Sequence, residues 1–260
     1  MTGGVAERVA RPWGRAHGAA LLLALFLAAP AAAQGPAMLP RLTEGDALGP
    51  GWRVVGLPQQ KPPLTRYAAQ RLDGREVLRV EADRSYGNLA FDWPAGVSMP
   101  QWLSWSWRVD EAPKGVDLAR KEGDDTPARV CVGFATPLER LPFLERQLLR
   151  VGRRMSGLDL PAATLCWAWG TTETPGAVVV NPYTARVRTL VLRGRADALG
   201  QWHDERRDVH ADFRLAFGDE WDGATPPPAI MALVAADADN TGGRSRAYFA
   251  GLRIEAGSAP

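Results

Sequence analysis

Two acidic stretches far apart in the chain carry residue types that could do chemistry. Asp237-Ala238-Asp239-Asn240-Thr241-Gly242 places side-chain oxygens at its first, third and fifth positions and Gly at its sixth, which is how a calcium loop opens. Asp237, Asp239, Asn240 and Thr241 are therefore candidate metal ligands, with calcium as the implied cofactor. Tyr248 occupies the twelfth position, where an EF-hand carries a bidentate Glu. Calcium takes about six to eight oxygens, so other ligands must come from elsewhere. Lys121-Glu122-Gly123-Asp124-Asp125 packs three carboxylates into four residues and is the natural supplier if the two loops meet. Asp, Asn and Gly also build ordinary hairpin turns, and both readings stand at this point.

The second acidic stretch sits between two strand-like runs. In the first, Leu103, Trp105, Trp107 and Val109 alternate with Trp102, Ser104, Ser106 and Arg108; in the second, Val130, Val132 and Phe134 alternate with Arg129, Cys131 and Gly133. Trp102, Arg108, Glu122, Asp124, Asp125 and Arg129 form a candidate ligand-binding set. Trp105, Trp107, Trp167 and Trp169 could stack on sugar rings, but Trp is usually buried, and core packing is the stronger reading. If the strands beginning near 102, 129 and 164 are neighbours, Ser104, Ser106, Cys131, Gly133, Cys166, Ala168 and Gly170 share a face of small residues, either the floor of a groove or a seat for a helix. Cys131 and Cys166 then lie where a cross-strand disulfide can form.

Other chemistries lack their residues. There is no Gly-x-Ser-x-Gly elbow, no Cys/His zinc cluster and no phosphate-cradling Gly loop. His203 and His210, seven apart, do not have metal-chelating spacing. A hydrolase would have to use two carboxylates from Glu122, Asp124, Asp125, Asp237 and Asp239, held roughly 5–10 Å apart.

The chain opens like an export signal: Arg8, Arg11 and Arg15, an apolar run from Ala19 to Ala29, then Ala31-Ala32-Ala33. Residues 1–33 are read as a signal peptide, giving an exported, periplasmic or secreted protein with no transmembrane helix once it is removed. The leader holds three Arg and one Glu, so 28 basic and 28 acidic residues remain, and that balance argues against a nucleic-acid partner. Export also makes a disulfide permissible.

Residues 34–50 read as a flexible N-terminal segment and 51–260 as a single domain. Asp73-Gly74 between two strand-like runs marks a type I′ hairpin, because both central residues must take positive φ. Asn88 to Trp93 is a strand ended by Pro94. Leu141 to Met155 reads as a basic amphipathic helix with Leu144, Leu148, Val151 and Met155 on one stripe, laid as a cover on the sheet; a membrane-surface helix and a lid are the alternatives. Ala198 to Phe217 reads as a second helix, with Trp202, Val209, Phe213 and Ala216 as its apolar stripe. About ten short strands and two accessory helices give a mainly β fold, a jelly-roll-like antiparallel β-sandwich.

The blocks LSWSWRV, KEGDDTPARVCV, NPYTARVRTLVLR, LGQWHDERRDVHADFRLAFG and ADADNTGGRSRAYFAGLRI resemble the bacterial domain-of-unknown-function family 3047, over about Gly51 to Ile254. The resemblance implies an exported β-sandwich and brings no activity with it. It does not carry the Leu141–Met155 segment or the two Cys. The reading it leaves is a non-catalytic binding protein with a glycan-like ligand; the alternatives are a carboxylate-dependent carbohydrate-active hydrolase and an envelope assembly factor.

Overall fold

A computed structural model describes residues 39–99, 101–157 and 159–255; residues 1–33, read above as a signal peptide, lie outside them. In chain order the strands are β1 (Thr43–Glu44), β2 (Ala47–Leu48), β3 (Arg53–Val55), β4 (Arg66–Leu72), β5 (Arg75–Asp83), β6 (Asn88–Val97), β7 (Trp102–Glu111) and β8 (Arg129–Phe134). Helix α1 (Phe143–Ser156) is followed by β9 (Ala163–Trp169), β10 (Val178–Val180), β11 (Val187–Arg193) and β12 (His203–Asp208). Helix α2 (Val209–Phe217), β13 (Ala229–Ala235) and β14 (Arg244–Glu255) complete the domain.

The strands form a seven-stranded sheet, β10-β11-β9-β8-β13-β6-β3, and a five-stranded sheet, β12-β7-β14-β5-β4. All pairs are antiparallel except β9–β11. The two sheets meet through tryptophans. Trp105 and Trp107 of β7 pack on Trp167 and Trp169 of β9 at ring-centroid distances of 5.7 and 6.0 Å, and all four are buried. The fold is thus the mainly β sandwich with two helices that the strand pattern implies. Asp73 and Gly74 have φ of 52° and 77°, so the β4–β5 turn takes the two positive φ values that its residues suit. No helix among the described residues is long and apolar enough to cross a membrane.

Five expectations need correction. The strands at 102, 129 and 164 are not three neighbours: β8 and β9 pair, but β7 belongs to the other sheet. The Trp rows of β7 and β9 therefore face each other across the interior instead of lining one surface. The small-residue face that remains holds Cys131 opposite Cys166 in a disulfide. It is no open groove, because Val116 and Leu118 pack over Ala168 and Val191, and a Cβ at Gly133 would meet Pro161 at 2.4 Å.

The predicted helix over 198–217 is half strand. His203–Asp208 pairs with β7, and its charges find partners across the strands: Glu205 accepts from Trp107 Nε1 (3.0 Å), and Arg206 lies 3.8 Å over the Trp102 ring. Asp208 then caps α2 by accepting from the Ala211 N–H (2.9 Å). Val209, Phe213 and Ala216 enter the main core as the stripe implies, without Trp202. The two histidines consequently lie on different elements, His203 against Trp169 and His210 bonded to the Met99 carbonyl.

Helix α1 occupies its expected place but faces the other way. Leu149 is buried with Leu141 and Ala162, whereas the stripe Leu144, Leu148, Val151 and Met155 is exposed. Finally, part of the segment expected to be loose is a small hairpin, β1–β2, with Leu42 in the core beside Trp52. Strand β6 also runs on past Pro94 to Val97, through a register shift opposite Ala229–Met231 that spares the missing proline N–H a ladder position.

Candidate functional site

Three loops converge at one end of the sandwich: Lys121–Asp125, Asn181–Tyr183 and Asp237–Thr241. The first is a short 3-10 turn, Lys121–Gly123, pressed against its own loop. A Cβ at Gly123 would stand 2.7 Å from the Asp117 nitrogen, so only glycine fits there. The third leaves β13 and returns as β14, and reciprocal bonds hold its start. Asp237 N–H donates to the Thr126 carbonyl (3.0 Å), and Thr126 N–H donates to Asp237 Oδ1 (2.7 Å).

Asp125 joins the two acidic loops. Its fully buried carboxylate accepts from Asn240 N (3.1 Å), Asn240 Nδ2 (3.3 Å), Thr241 N (2.7 Å) and Thr241 Oγ1 (2.6 Å). Asp237, also buried, pairs with Arg129 at the start of β8. Asp124 accepts from Asn181 Nδ2 (2.6 Å), which ties in the middle loop. Burial pushes the Asp237 carboxyl up to about 7 and Asp124 up to about 6 against the pull of Arg129, and neighbouring carboxylates push in the same direction. Asp239 is raised for the same reasons, burial first and then Asp125.

Carboxylate oxygens of Asp125, Asp237 and Asp239 lie within 4.8 Å of one another. The ligand set read from the sequence does not sit as a calcium loop, however. Asn240 and Thr241 turn donors onto Asp125, and Asn240 Oδ1 accepts from Tyr183. Asp237 is engaged by Thr126 and by the Arg129 guanidinium, which supplies positive charge beside the cluster. Asp239 Oδ1 is buried without a hydrogen-bond partner. The cluster as folded is a clasp between loops, closed by N–H and O–H donors.

The candidate ligand residues do not make one site. Trp102, at the start of β7, is paired with Asp208 and Glu255, whereas the other end of that strand reaches Arg246 near the acidic loops. Nine residues of strand at about 3.3 Å each separate the two ends by roughly 30 Å. The Arg206 guanidinium also covers the Trp102 ring. Arg108 is bound to Asp110 (2.6 Å) and Asp73 (3.0 Å) on the five-stranded sheet. Glu122, Asp124, Asp125 and Arg129 do gather at the loop end, with Glu122 exposed.

Tyr183 is the residue that the strand pattern passes over, since Asn181-Pro182-Tyr183 reads simply as a turn. The residue is 57% exposed among the three loops. The hydroxyl donates to Asn240 Oδ1 (3.0 Å), with the Lys121 carbonyl at 3.2 Å, and Lys121 Nζ lies 5.2 Å from the ring centre. An aromatic side chain following Pro in a polar turn is the signal that could have marked it. Beside the same returning loop, an open cleft of about 440 Å³ is lined by Asp83, Arg84, Glu111, Lys114, Thr241 and Arg244, among others.

Comparison with curated proteins gives no match. The family model described as a protein of unknown function, DUF3047, matches residues 50–253, from just before β3 to within two residues of the end of β14, and the chain belongs to that family.

Proposed function

We propose that this is an exported, non-catalytic binding protein whose ligand is a saccharide, held at the Tyr183 end of the sandwich. One observation carries the reading: an exposed tyrosine ring fixed by its own hydroxyl and bordered by Asp124, Asn181 and Asn240. A flat aromatic ring offers an apolar face to the C–H groups of a sugar, while amides and carboxylates meet its hydroxyls. The tryptophans do not compete for this role, because Trp105, Trp107, Trp167 and Trp169 are consumed by the core. Export is supported by the leader pattern and by the disulfide, which needs an oxidising compartment.

The hydrolase alternative draws on Asp124, whose carboxyl is held near 6, in the range of a general acid. Its second carboxylate would have to be Glu122 or Asp239, because both oxygens of Asp125 and both of Asp237 are already bonded to protein donors; Glu122 stands out in solvent and Asp239 Oδ1 is buried. Binding without turnover is the better fit.

A glycan array followed by calorimetry on the hits tests the proposal. Tyr183→Ala should weaken binding at least tenfold, about 1.4 kcal/mol or more. Trp102→Ala and Lys114→Ala should leave it unchanged. Loss with Lys114→Ala alone would move the site to the cleft, and release of reducing ends from a bound glycan would replace binding by hydrolysis. No saccharide bound at millimolar concentration would end the proposal.

A further inference from the structure

Helix α1 stands out on the surface. Five of its large apolar side chains are exposed: Phe143 (71%), Leu144 (68%), Leu148 (62%), Val151 (53%) and Met155 (73%). The remaining exposed residues of the helix whose side chains are described are Arg150 and Arg154. The outward face is therefore made of hydrocarbon and guanidinium, with no carboxylate. The helix's one acidic residue, Glu145, is turned inward to Arg186 at 2.6 Å. Neither Arg150 nor Arg154 makes an ion pair among the described residues.

This exposure does not come from a helix that has failed to dock. Its inner side is anchored by Leu149 packed with Leu141 and Ala162, by the Glu145–Arg186 pair, and by Arg153 donating to the Leu160 carbonyl at 2.9 and 2.7 Å. Gly157, at φ 66°, ends the helix with its N–H bonded to the Arg153 carbonyl. The helix is thus held in one orientation with its apolar stripe outward.

We propose that α1 is a membrane-docking helix that lies flat on an anionic phospholipid surface. Leu144, Leu148, Val151 and Met155 would enter the boundary between headgroups and acyl chains, and Arg150 and Arg154 would meet the phosphates. An amphipathic helix with an arginine-bearing flank binds such an interface by apolar burial plus attraction to anionic lipid. The charge of the face selects this occupant over a second copy of the chain. Pairing two such faces would bring Arg150 and Arg154 against their own kind with no carboxylate to answer them.

The test is flotation of the full chain with vesicles of phosphatidylcholine alone or with one quarter phosphatidylglycerol. Every variant keeps residues 1–38, so any contribution from that segment is constant across the series. The double variant Leu148→Glu/Met155→Glu should lower the vesicle-bound fraction at least tenfold. Arg150→Glu/Arg154→Glu should abolish the preference for phosphatidylglycerol, and raising salt should do the same to the natural sequence. Both pairs are exposed, so an unchanged melting temperature checks the fold. Hydrogen exchange should slow over 143–156 when vesicles are added. Equal flotation of natural and variant chains, or no vesicle-dependent protection of 143–156, overturns the proposal. So does a concentration-dependent dimer, seen by sedimentation without vesicles and removed by Leu148→Glu/Met155→Glu.

Discussion

Removing the Cys131–Cys166 bridge is a perturbation whose size follows from the fold. The two cysteines face each other in the β8–β9 register, both 2% exposed, and close a loop of 35 residues that contains all of α1. Closing a loop of that length in the unfolded chain stabilises the native state by about 4 kcal/mol in the chain-entropy model. For a domain of this size each kcal/mol moves Tm by roughly 2–4 °C, so loss of the bridge should lower Tm by about 8–16 °C. Two routes should agree: Cys131→Ala/Cys166→Ala, and the natural chain unfolded and refolded in reductant. Circular dichroism melts give Tm, and thiol titration in denaturant verifies the bonded state. The fold should survive at 25 °C, since strand pairing and the tryptophan core are independent of the bridge. A shift under about 3 °C by both routes would refute the entropic reasoning, and free thiols in the oxidised natural chain would remove its premise.

Three further outcomes can be checked on the same melts. Asp125→Ala leaves the N–H groups of Asn240 and Thr241 without their acceptor and should cost about 2–4 kcal/mol, with faster hydrogen exchange confined to the 237–243 loop; a change spread over the whole domain would show that the clasp is not local. Asp124 and Asp237 have folded-state pKa values raised to about 6 and about 7, so the folded protein holds protons that the unfolded chain releases between about pH 4 and 7. Their contribution to stability is complete below the unfolded carboxylate pKa and is lost as pH rises through 6 and 7, so Tm should fall from pH 5.5 to pH 8. Asp124→Asn should flatten that fall by about 1–2 kcal/mol after allowance for its partial exposure, and an unchanged slope would exclude it as a source. Calcium added after chelation should move Tm by less than about 2 °C, because protein donors engage Asp125 and Asp237; a larger rise that Asp239→Ala removes would show that the clasp opens to hold the ion.

Local patterns were readable wherever one strand or turn decides the outcome. Period-two alternation marks the buried rows of β7 and β9, and Asp73-Gly74 announces its turn because few other pairs tolerate two positive φ values. The partner of β7 was not readable. It pairs with β12 and β14, about 100 and 150 residues away, and nothing in its own alternation names the sheet it joins. The acidic loops were legible as residue types, but their linkage through Asp125 depends on where β8 and β13 end. Strand β12 was misread for a different reason. All six of its residues are polar, and a strand that draws its stability from cross-strand charges shows no apolar period to detect. For α1 the helical period was plain, yet an amphipathic stripe has the same spacing whether it faces a core or a membrane.

Strand β12 also has a consequence for how molecules of this protein meet. It closes one edge of the five-stranded sheet with the run His-Asp-Glu-Arg-Arg-Asp. A second chain adding to that edge would have to desolvate charges that already have partners, including Asp204 with Ser106 and Glu205 with Arg193. Such an edge resists the strand addition from which sheet aggregates grow. Crowding should therefore not extend this sheet from β12.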